Sequence, residues 1–373
     1  MAVDLYSLSP PAFEDLDVYR KGVQAWWHGK DMYGTLPITI ARSYLPFIYP
    51  PFALVVLGPL AILPWPAAAL TMMVISLVSL TAVVYLTVRH TWPAAGPRVT
   101  IGVTAVVVPL SMKLRPVWDT LWFGQVNLLL MLLVVLDCLV VSPRWPRGVL
   151  VGIAAAVKLT PAVFVLYFLL RKDYRAAWTA AATGMVGVGI GFLASWSGSL
   201  KYWFGSSGGA RSIGGSPYFS NQTVYALLAR LGPPHHTLLW LAGVAVVLVV
   251  AVLAIRGAQG NQPLALCVTG CLGLLASPTS WGHHWVYVVP GLIAMAGQVT
   301  SSPRWTVAFL GTAAVFYIAP YEYLPSGDNR ELTWTWWQQI PGNSYTITGI
   351  CLLVALAWRV RWGDHDSLDL SAL

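Results

Sequence analysis

The chain has 373 residues, of which 57% are hydrophobic and only 10% are charged, and it contains 19 tryptophans. This composition excludes an ordinary soluble domain and is typical of a polytopic membrane protein. The net charge of +8 does not indicate nucleic-acid binding, because Lys and Arg lie singly or in short clusters between apolar runs, where they set topology.

The first segment, residues 1–66, carries an acidic cluster, FEDLDVYR, ahead of the amphipathic stretch VYRKGVQAWWHG. One interpretation is that an Asp caps a helix and the other acids are solvated. The alternative is a general base, since a carboxylate in a membrane-facing pocket can take a proton from an attacking sugar hydroxyl. Further along, YPPFALVVLGPLAILPWP has too many prolines for a plain span and predicts short interfacial helices.

Apolar runs long enough for membrane helices recur from residue 67 onwards. A hydrocarbon core of about 30 Å needs roughly 20 apolar residues in a helix, and the runs lack the period-two alternation of a barrel. We expect an all-α membrane domain over residues 67–360 and a cytoplasmic tail over 361–373. The expected spans are 67–88, 98–112, 125–141, 176–195, 237–256, 262–277, 285–298, 305–321 and 346–360.

The stretch 148–170 is also apolar, but Arg147 and Arg171 flank it and Lys158 with Pro161 interrupts it. Basic residues at both ends favour two short segments that go out and return, with Lys158 at the tip near the outer face. The alternative is one kinked span with a snorkelling lysine.

With that pairing there are eleven crossings, the C-terminus is cytoplasmic, and residues 1–66 lie outside. No signal peptide or apolar helix occurs in MAVDLYSLSPPAFEDL, so we expect that one N-terminal span is missing from this chain.

The expected outer face collects the chemically unusual residues. Several cations lie there against the positive-inside bias, and an anionic phosphate would account for them. They are Lys113, Arg115, Lys158, Lys201 and Arg211. The glycine-rich segment around Arg211 is no P-loop and predicts a lid or a plain loop.

Paired histidines, His283 and His284, lie between two tryptophans in SPTSWGHHW. They are either interfacial side chains or hydrogen-bond donors to a phosphate or a hydroxyl. Two histidines without a third ligand are weak evidence for a metal. The sequence has no DxD-like pair, so it does not indicate a nucleotide-sugar site. Its four cysteines fall in apolar runs, as small core residues do.

Six segments in order resemble glycosyltransferase family 87, whose members are integral membrane mannosyltransferases of the GT-C fold. The segments are DLDVYRKG, HGKDMYG with LPFIYPPFALVVLGPLAILP, WFGQVNLLL, GIAAAVKLTPAVF, NQTVYALLARL and SPTSWGHHWVYVVP. The resemblance covers nearly the whole chain.

The resemblance implies an inverting transferase on the outer side of the plasma membrane. It would move mannose from polyprenyl-phosphate-mannose to a glycolipid or mannan acceptor, typically through an α-1,2 linkage, in phosphatidylinositol mannoside, lipomannan or lipoarabinomannan synthesis. The family's aspartate falls on Asp15, the first Asp of its D-x-x-V-Y pattern, with Asp17 as the close competitor.

The remaining expected roles follow from that donor. Lys158, Arg211 and Arg115 would bind its phosphate, with His283 and His284 as catalytic donors beside it. The expected substrate-binding residues are Gln125, Asn127, Asn221, Trp281 and Trp285. No cofactor is required if cations do this work, and a divalent metal stays open.

Two other functions stay open at this point. One is an arabinosyltransferase that uses polyprenyl-phosphate-arabinose. The other is a transporter or flippase of a polyprenyl-linked sugar, against which stand the missing internal repeat and the one-sided polar groups.

Overall fold

The computed structural model describes residues 13–205, 216–258 and 260–362, and within these ranges the chain is helical with no strand. The N-terminal half contains α1 (Glu14–Trp27), α2 (Phe52–Ile62), α3 (Trp65–Thr91), α4 (Pro97–Ser111), α5 (Arg115–Phe123), α6 (Asn127–Leu139), α7 (Val149–Val157), α8 (Phe164–Leu170), α9 (Tyr174–Ala194) and α10 (Trp196–Phe204). The C-terminal half contains α11 (Val224–Leu231), α12 (His236–Gly257), α13 (Gln262–Ala276), α14 (Val288–Ala296), α15 (Pro303–Ile318), α16 (Gln339–Gly342) and α17 (Ser344–Trp362). Short 3-10 helices cover Thr160–Val163, Gly282–Tyr287, Pro320–Tyr323 and Arg330–Thr333.

Each expected span coincides with a helix, but many of these helices are short. In the described ranges, α3, α9 and α12 have the length and apolar composition of a membrane span, and α4 with α5 passes only as a pair bent by 76°. The apolar helices α2, α6 and α13 have 10–17 residues. Since a plain crossing takes about 20 residues, the structure supports a helical membrane protein without confirming eleven crossings.

The outer surface of the bundle is apolar. On α3, Leu70, Val74 and Val78 form a stripe at four-residue spacing, and their side chains are 65%, 49% and 60% exposed. A stripe of this kind is costly in water and costs nothing in hydrocarbon, so we assign it to the lipid.

The interrupted stretch 148–170 forms two short arms. Along α7, Gly148 packs against Ala176 and Gly152 against Ala180, while Gly187 packs against Ala156 near the arm's end. The partners of α7 advance along α9 in the same direction, so α7 and α9 are parallel and pack directly on each other, and the chain returns from one to the other through α8. Lys158 therefore lies at the tip of a pair that goes up and comes back, as two segments meeting at KLTP require.

Both basic flanks of this pair lie at its base. Asp137 on α6 accepts hydrogen bonds from the N–H groups of Gly148 (3.0 Å) and Val151 (2.9 Å), and so caps α7 from a distance. Arg147 lies 3.9 Å from Asp173, two residues after Arg171. The two arginines thus share one end of the bundle, and Lys158 points away from it.

The N-terminal segment covers the opposite end of α9. The indole of Trp26 on α1 donates to the carbonyl of Ala194, the last residue of α9, at 2.8 Å. The start of α2 packs on Gly191, whose missing side chain leaves only 3.1 Å between its Cβ position and the Phe52 nitrogen. This contact places α1 above the tip that carries Lys158.

Candidate active site

Asp15 is brought to the site by the docking of α1 on the end of α5. The Phe13 N–H donates to the Trp122 carbonyl at 3.0 Å. Gly124 ends α5 with φ of +66°, and a Cβ there would lie 2.7 Å from the Phe13 ring. Glycine is therefore needed both for the left-handed turn and for the close approach of α1. The next residue, Gln125, faces Asp15.

A buried polar network holds Asp15 in place. The Tyr19 and Tyr49 hydroxyls donate to Gln125 Oε1 at 2.7 and 3.0 Å, and the two oxygens lie 2.8 Å apart. Since the phenols occupy the amide oxygen, the amide nitrogen is the group that donates to the Asp15 carboxylate. Asp15 thus faces a network in which each polar group is fixed by the next.

Burial in this protein environment raises the pKa of Asp15 from 3.8 to about 7, although the hydrogen bond from Gln125 and the charge of Lys158 act to lower it. A carboxyl group with a pKa near neutral pH is well matched to general-base catalysis, because a useful fraction is ionised and the base is strong.

The neighbouring acids point elsewhere. Asp17 pairs with Lys21 and accepts the Ile40 N–H at 2.9 Å, and Glu14 accepts from Thr39 and Ser43. None of the acids caps α1, whose N-cap is Phe13. The helix therefore separates the two candidate bases, and only Asp15 faces the polar network.

Lys158 lies on the far side of the same site, in the extended break after α7. Its Nζ is 3.0 Å from Asn127 Oδ1, 2.9 Å from His284 Nε2 and 5.4 Å from the centre of the Tyr49 ring. Burial lowers the pKa of Lys158 from 10.5 to about 7, and the charge of Asp15 acts to raise it. The amine and the carboxyl group are thus electrostatic neighbours.

The 3-10 helix Gly282–Tyr287, the histidine turn, carries both imidazoles into the site. The His283 carbonyl accepts from Thr120 Oγ1 at 3.1 Å and from Asn127 Nδ2 at 2.9 Å, which fixes the turn against α5 and α6. His284 Nδ1 accepts the Trp281 N–H at 3.2 Å. His283 Nε2 is buried and has no hydrogen-bond partner in the described part of the chain.

Both imidazoles are neutral. Burial lowers the pKa of His283 from 6.5 to about 3, and burial together with the charge of Lys158 lowers the pKa of His284. The histidines therefore act as hydrogen-bond donors or acceptors rather than as charges.

Other expected substrate residues have structural partners. Asn221 is fully buried; its side chain donates to the carbonyls of Ser216 and Pro278 and accepts the Ser280 N–H, and so ties the segment before α11 to the loop that leads into the histidine turn. Trp285 is 4% exposed and packs on Phe316 and Tyr345 in the core, which leaves little of its ring for a sugar.

Arg115, expected at the donor phosphate, is held in ion pairs with Asp119 and Glu322, both at 2.8 Å. A phosphate would have to compete with two carboxylates for this guanidinium. Trp281 stays partly exposed beside Tyr218. Arg211 lies outside the described residues.

The sequence pattern missed Tyr19, Tyr49 and Arg230. Tyr19 follows Asp15 by one helical turn, a spacing that could have marked it as a neighbour. Arg230 is buried and donates to the carbonyls of Pro217, Tyr218, Phe219 and Asn221 and to Asn343 Oδ1. Nothing in its local sequence indicates that one side chain has so many partners, one of them 113 residues away.

Next to the site lies an apolar cavity of about 530 Å³ between α13, α14, α15 and α17. A small cleft of about 30 Å³ is lined by Lys158, Asn127 and His284 together with apolar side chains, and it shares Leu274 and Tyr287 with the large cavity. The polar cluster therefore borders a space suited to a hydrocarbon chain. In the described residues no group of three His, Cys, Asp or Glu side chains has the arrangement of a metal site.

A lipid-facing helical bundle that gathers a carboxyl group, an amine and two imidazoles at one end has the groups that acid–base catalysis in an integral membrane enzyme requires. The sequence model of glycosyltransferase family 87 matches residues 47–278. The chain belongs to this family and is a glycosyltransferase.

Two mycobacterial relatives support the same assignment. The chain is 37% identical over 364 residues to a polyprenol-phosphate-mannose-dependent alpha-(1-2)-phosphatidylinositol mannoside mannosyltransferase of Mycobacterium tuberculosis, covering 93% of this chain and 84% of the relative. It is 36% identical to the protein of the same description in Mycolicibacterium smegmatis, covering 95% and 87%. Among solved structures it is similar to ArnT from Cupriavidus metallidurans bound to undecaprenyl phosphate, with 14% identity, a TM-score of 0.42, and coverage of 95% of this chain and 74% of that one.

Proposed function

We propose that the protein transfers mannose from polyprenyl-phosphate-mannose to a mannoside of a phosphatidylinositol mannoside, forming an α-1,2 linkage with inversion at the anomeric carbon. The two relatives above carry this donor, linkage and acceptor class in their descriptions. The structural observation that supports the proposal is that Asp15 and Lys158 border one polar cluster: Gln125 hydrogen-bonds to Asp15 and to the Tyr49 hydroxyl, and the Tyr49 ring centre lies 5.4 Å from Lys158 Nζ.

The chemistry is a single displacement. The acceptor hydroxyl oxygen attacks the anomeric carbon and gives its proton to Asp15, while the bond from that carbon to the phosphate oxygen breaks and its electron pair leaves with the phosphate. Lys158, His284 and His283 donate hydrogen bonds to the departing phosphate, whose charge grows as the bond breaks. No metal takes part in this scheme, because the amine and imidazoles supply the stabilisation.

The apolar cavity supports a lipid-linked donor. Its shared border with the cleft at Lys158 would allow a polyprenyl chain to leave the phosphate and run between α13, α14, α15 and α17. A chain placed there buries hydrocarbon against hydrocarbon-like side chains while its phosphate stays at the polar end.

In the proposed topology the protein lies in the plasma membrane, with eleven crossings, and the site is on the outer face. Residues 1–66 form the outer cover that carries the base, residues 67–360 form the GT-C membrane domain, and 361–373 form a cytoplasmic tail. The location of Arg147 and Arg171 at one end and Lys158 at the other supports this orientation.

The test is transfer of labelled mannose from polyprenyl-phosphate-mannose to a phosphatidylinositol mannoside by membranes that contain the protein, with Asp15→Asn and the matched control Asp17→Asn at equal protein amounts. We expect transfer by the wild type and by Asp17→Asn, and a loss of at least about 100-fold in Asp15→Asn, because the amide cannot accept the proton. Wild-type activity in Asp15→Asn would overturn the assignment of the base. Transfer from polyprenyl-phosphate-arabinose instead of the mannose donor would overturn the sugar, and binding without transfer from either would favour transport.

A further inference from the structure

The hydrogen bonds around His284 have a definite polarity. The Trp281 N–H points at Nδ1, so this nitrogen supplies a lone pair and carries no proton. A neutral imidazole has one N–H, which must then be on Nε2. That nitrogen lies 2.9 Å from Lys158 Nζ, so His284 is the donor in this contact.

An ammonium group cannot accept this hydrogen bond, because all its protons are donors and it has no lone pair. A neutral amine satisfies the whole arrangement: it accepts from His284 Nε2 and donates to Asn127 Oδ1 at 3.0 Å. With a charged Lys158, two donors would face each other at 2.9 Å, or the Trp281 N–H would lose its acceptor.

Three other groups face Lys158. The Tyr49 ring, whose centre lies 5.4 Å from Nζ, and Asp15 favour the charged form, whereas the neighbouring imidazole of His283 is neutral. None of them is a fixed counter-charge, because a ring has no net charge and the Asp15 carboxyl group is itself easily protonated. A buried ammonium without a full counter-charge is costly, whereas an amine with two hydrogen bonds is not. When a phosphate anion lies beside Lys158, it supplies that counter-charge, and the ammonium form becomes the more favourable one.

We propose that Lys158 is an uncharged amine in the empty site and takes up one proton when the donor phosphate binds beside it. The anion thereby creates the cation that holds it. The protonated lysine no longer accepts from His284, whose Nε2–H becomes free to donate to a phosphate oxygen. This inference rests on the proposed donor for its second half only; the charge of Lys158 in the empty site is a property of the protein alone.

The first test needs no substrate. The purified protein is treated with a small amine-selective acylating reagent between pH 6 and 9, and labelling of Lys158 is followed by peptide mass spectrometry, with the exposed Lys113 as the reference in the same digest. We expect Lys158 to label half-maximally near neutral pH. In His284→Gln the amide can turn its oxygen to Lys158 and accept from an ammonium, so labelling should move to more alkaline pH. Labelling of Lys158 that parallels Lys113, or no labelling up to pH 9, would contradict the proposal.

The second test counts protons. A short-chain mannosyl phosphodiester, which does not titrate near this pH, is bound at pH 8.5 in the absence of acceptor. Calorimetry in two buffers of different ionisation enthalpy then gives the number of protons taken up on binding. We expect the wild type to take up about one proton and Lys158→Arg to take up none, because arginine is always charged. Equal proton counts would overturn the coupling. Absence of binding in both proteins would contradict the proposed donor, while the labelling profile still decides the state of the lysine.

Discussion

Burial shifts the pKa of the Asp15 carboxyl group towards neutral pH, and this shift determines how the rate of transfer depends on pH. Only the ionised form can take a proton, and the raised pKa of about 7 means that this form is lost as the pH falls through neutrality. When the donor is saturating, the charges of its phosphate and of Lys158 offset each other in their effect on the pKa of Asp15. We therefore expect the rate of transfer at limiting acceptor concentration to fall about tenfold per pH unit below 7. The measurement is a pH profile of mannosyl transfer between pH 5 and 8.

A matched variant tests whether Asp15 is the group that titrates. Gln125 donates a hydrogen bond that lowers the pKa of Asp15. In Gln125→Leu this bond is lost, so the pKa should rise and the acid limb should move to higher pH, along with a lower plateau because the Tyr19 and Tyr49 hydroxyls lose their acceptor. An unchanged limb in this variant would show that another group controls the profile.

At the scale of elements, the segment before α11 reaches the site only through a buried arginine. Arg230 binds four carbonyls of residues 217–221 and Asn343 Oδ1, and it lies 5.2 Å from the centre of the Trp334 ring. The anchored segment in turn bonds Ser280, two residues before the histidine turn, through Asn221. Arg230 is thus a positioning residue for His283 and His284, although it does not touch the proposed substrate.

Removing this anchor should affect stability and turnover together. In Arg230→Met these acceptors lose the guanidinium as a donor, and we expect a loss of about 3 kcal/mol or more in the free energy of unfolding and a lower kcat. Arg230→Lys keeps the positive charge but replaces the planar guanidinium and its five N–H donors with a single ammonium group, so this variant should be more stable than Arg230→Met and less stable than the wild type. Thermal unfolding in detergent and transfer kinetics measure the two effects. A lysine variant no more stable than the methionine variant would mean that packing, not hydrogen bonding, holds the segment.

Another prediction at this scale concerns the apolar cavity. Ala308 on α15 lines it, whereas Ala314 on the same helix is exposed on the lipid side. Ala308→Phe should fill part of the cavity and raise KM several-fold for a long polyprenyl donor, with little change for a donor of one or two isoprene units. Ala314→Phe is the control and should leave both values unchanged. The measurement is the KM of each variant for a long and a short donor. An equal effect of Ala308→Phe on the two KM values would mean that the polyprenyl chain binds outside this cavity.

For the whole molecule, the helices that coincide with the expected spans were predictable from apolar runs, and the tip at Lys158 from the flanking Arg147 and Arg171, whereas α5, α10 and α11 lie outside those runs. The site was partly predictable: Asp15, Lys158 and His284 come from segments far apart in the chain, and each is marked by a polar residue in an apolar context. The choice between Asp15 and Asp17 was not predictable, because it depends on how α1 rotates as it docks on Gly124. The structural roles of Asn221 and Trp285 were also hidden, because their partners lie about 60 residues away along the chain.

The number of crossings was the weakest expectation, and the reason is physical. Hydropathy measures only whether a run can lie in lipid, and apolar helices of 10–17 residues can do so without crossing when other helices cover their ends. The packing of these helices nevertheless shows which segments lie at the same end of the bundle. The side of the membrane on which each end lies can therefore be tested.

Single cysteines placed at the two ends should label from opposite sides. Ser142 lies before Arg147 at the base of α7, and Thr333 lies in the segment that follows α15; both are exposed. With a membrane-impermeant maleimide on intact cells, we expect Thr333→Cys to label and Ser142→Cys to label only after permeabilisation. The unsubstituted chain is the control for its four native cysteines. Labelling of Ser142→Cys in intact cells would invert the molecule and place Asp15 on the cytoplasmic side, where a donor presented on the outer face could not reach it.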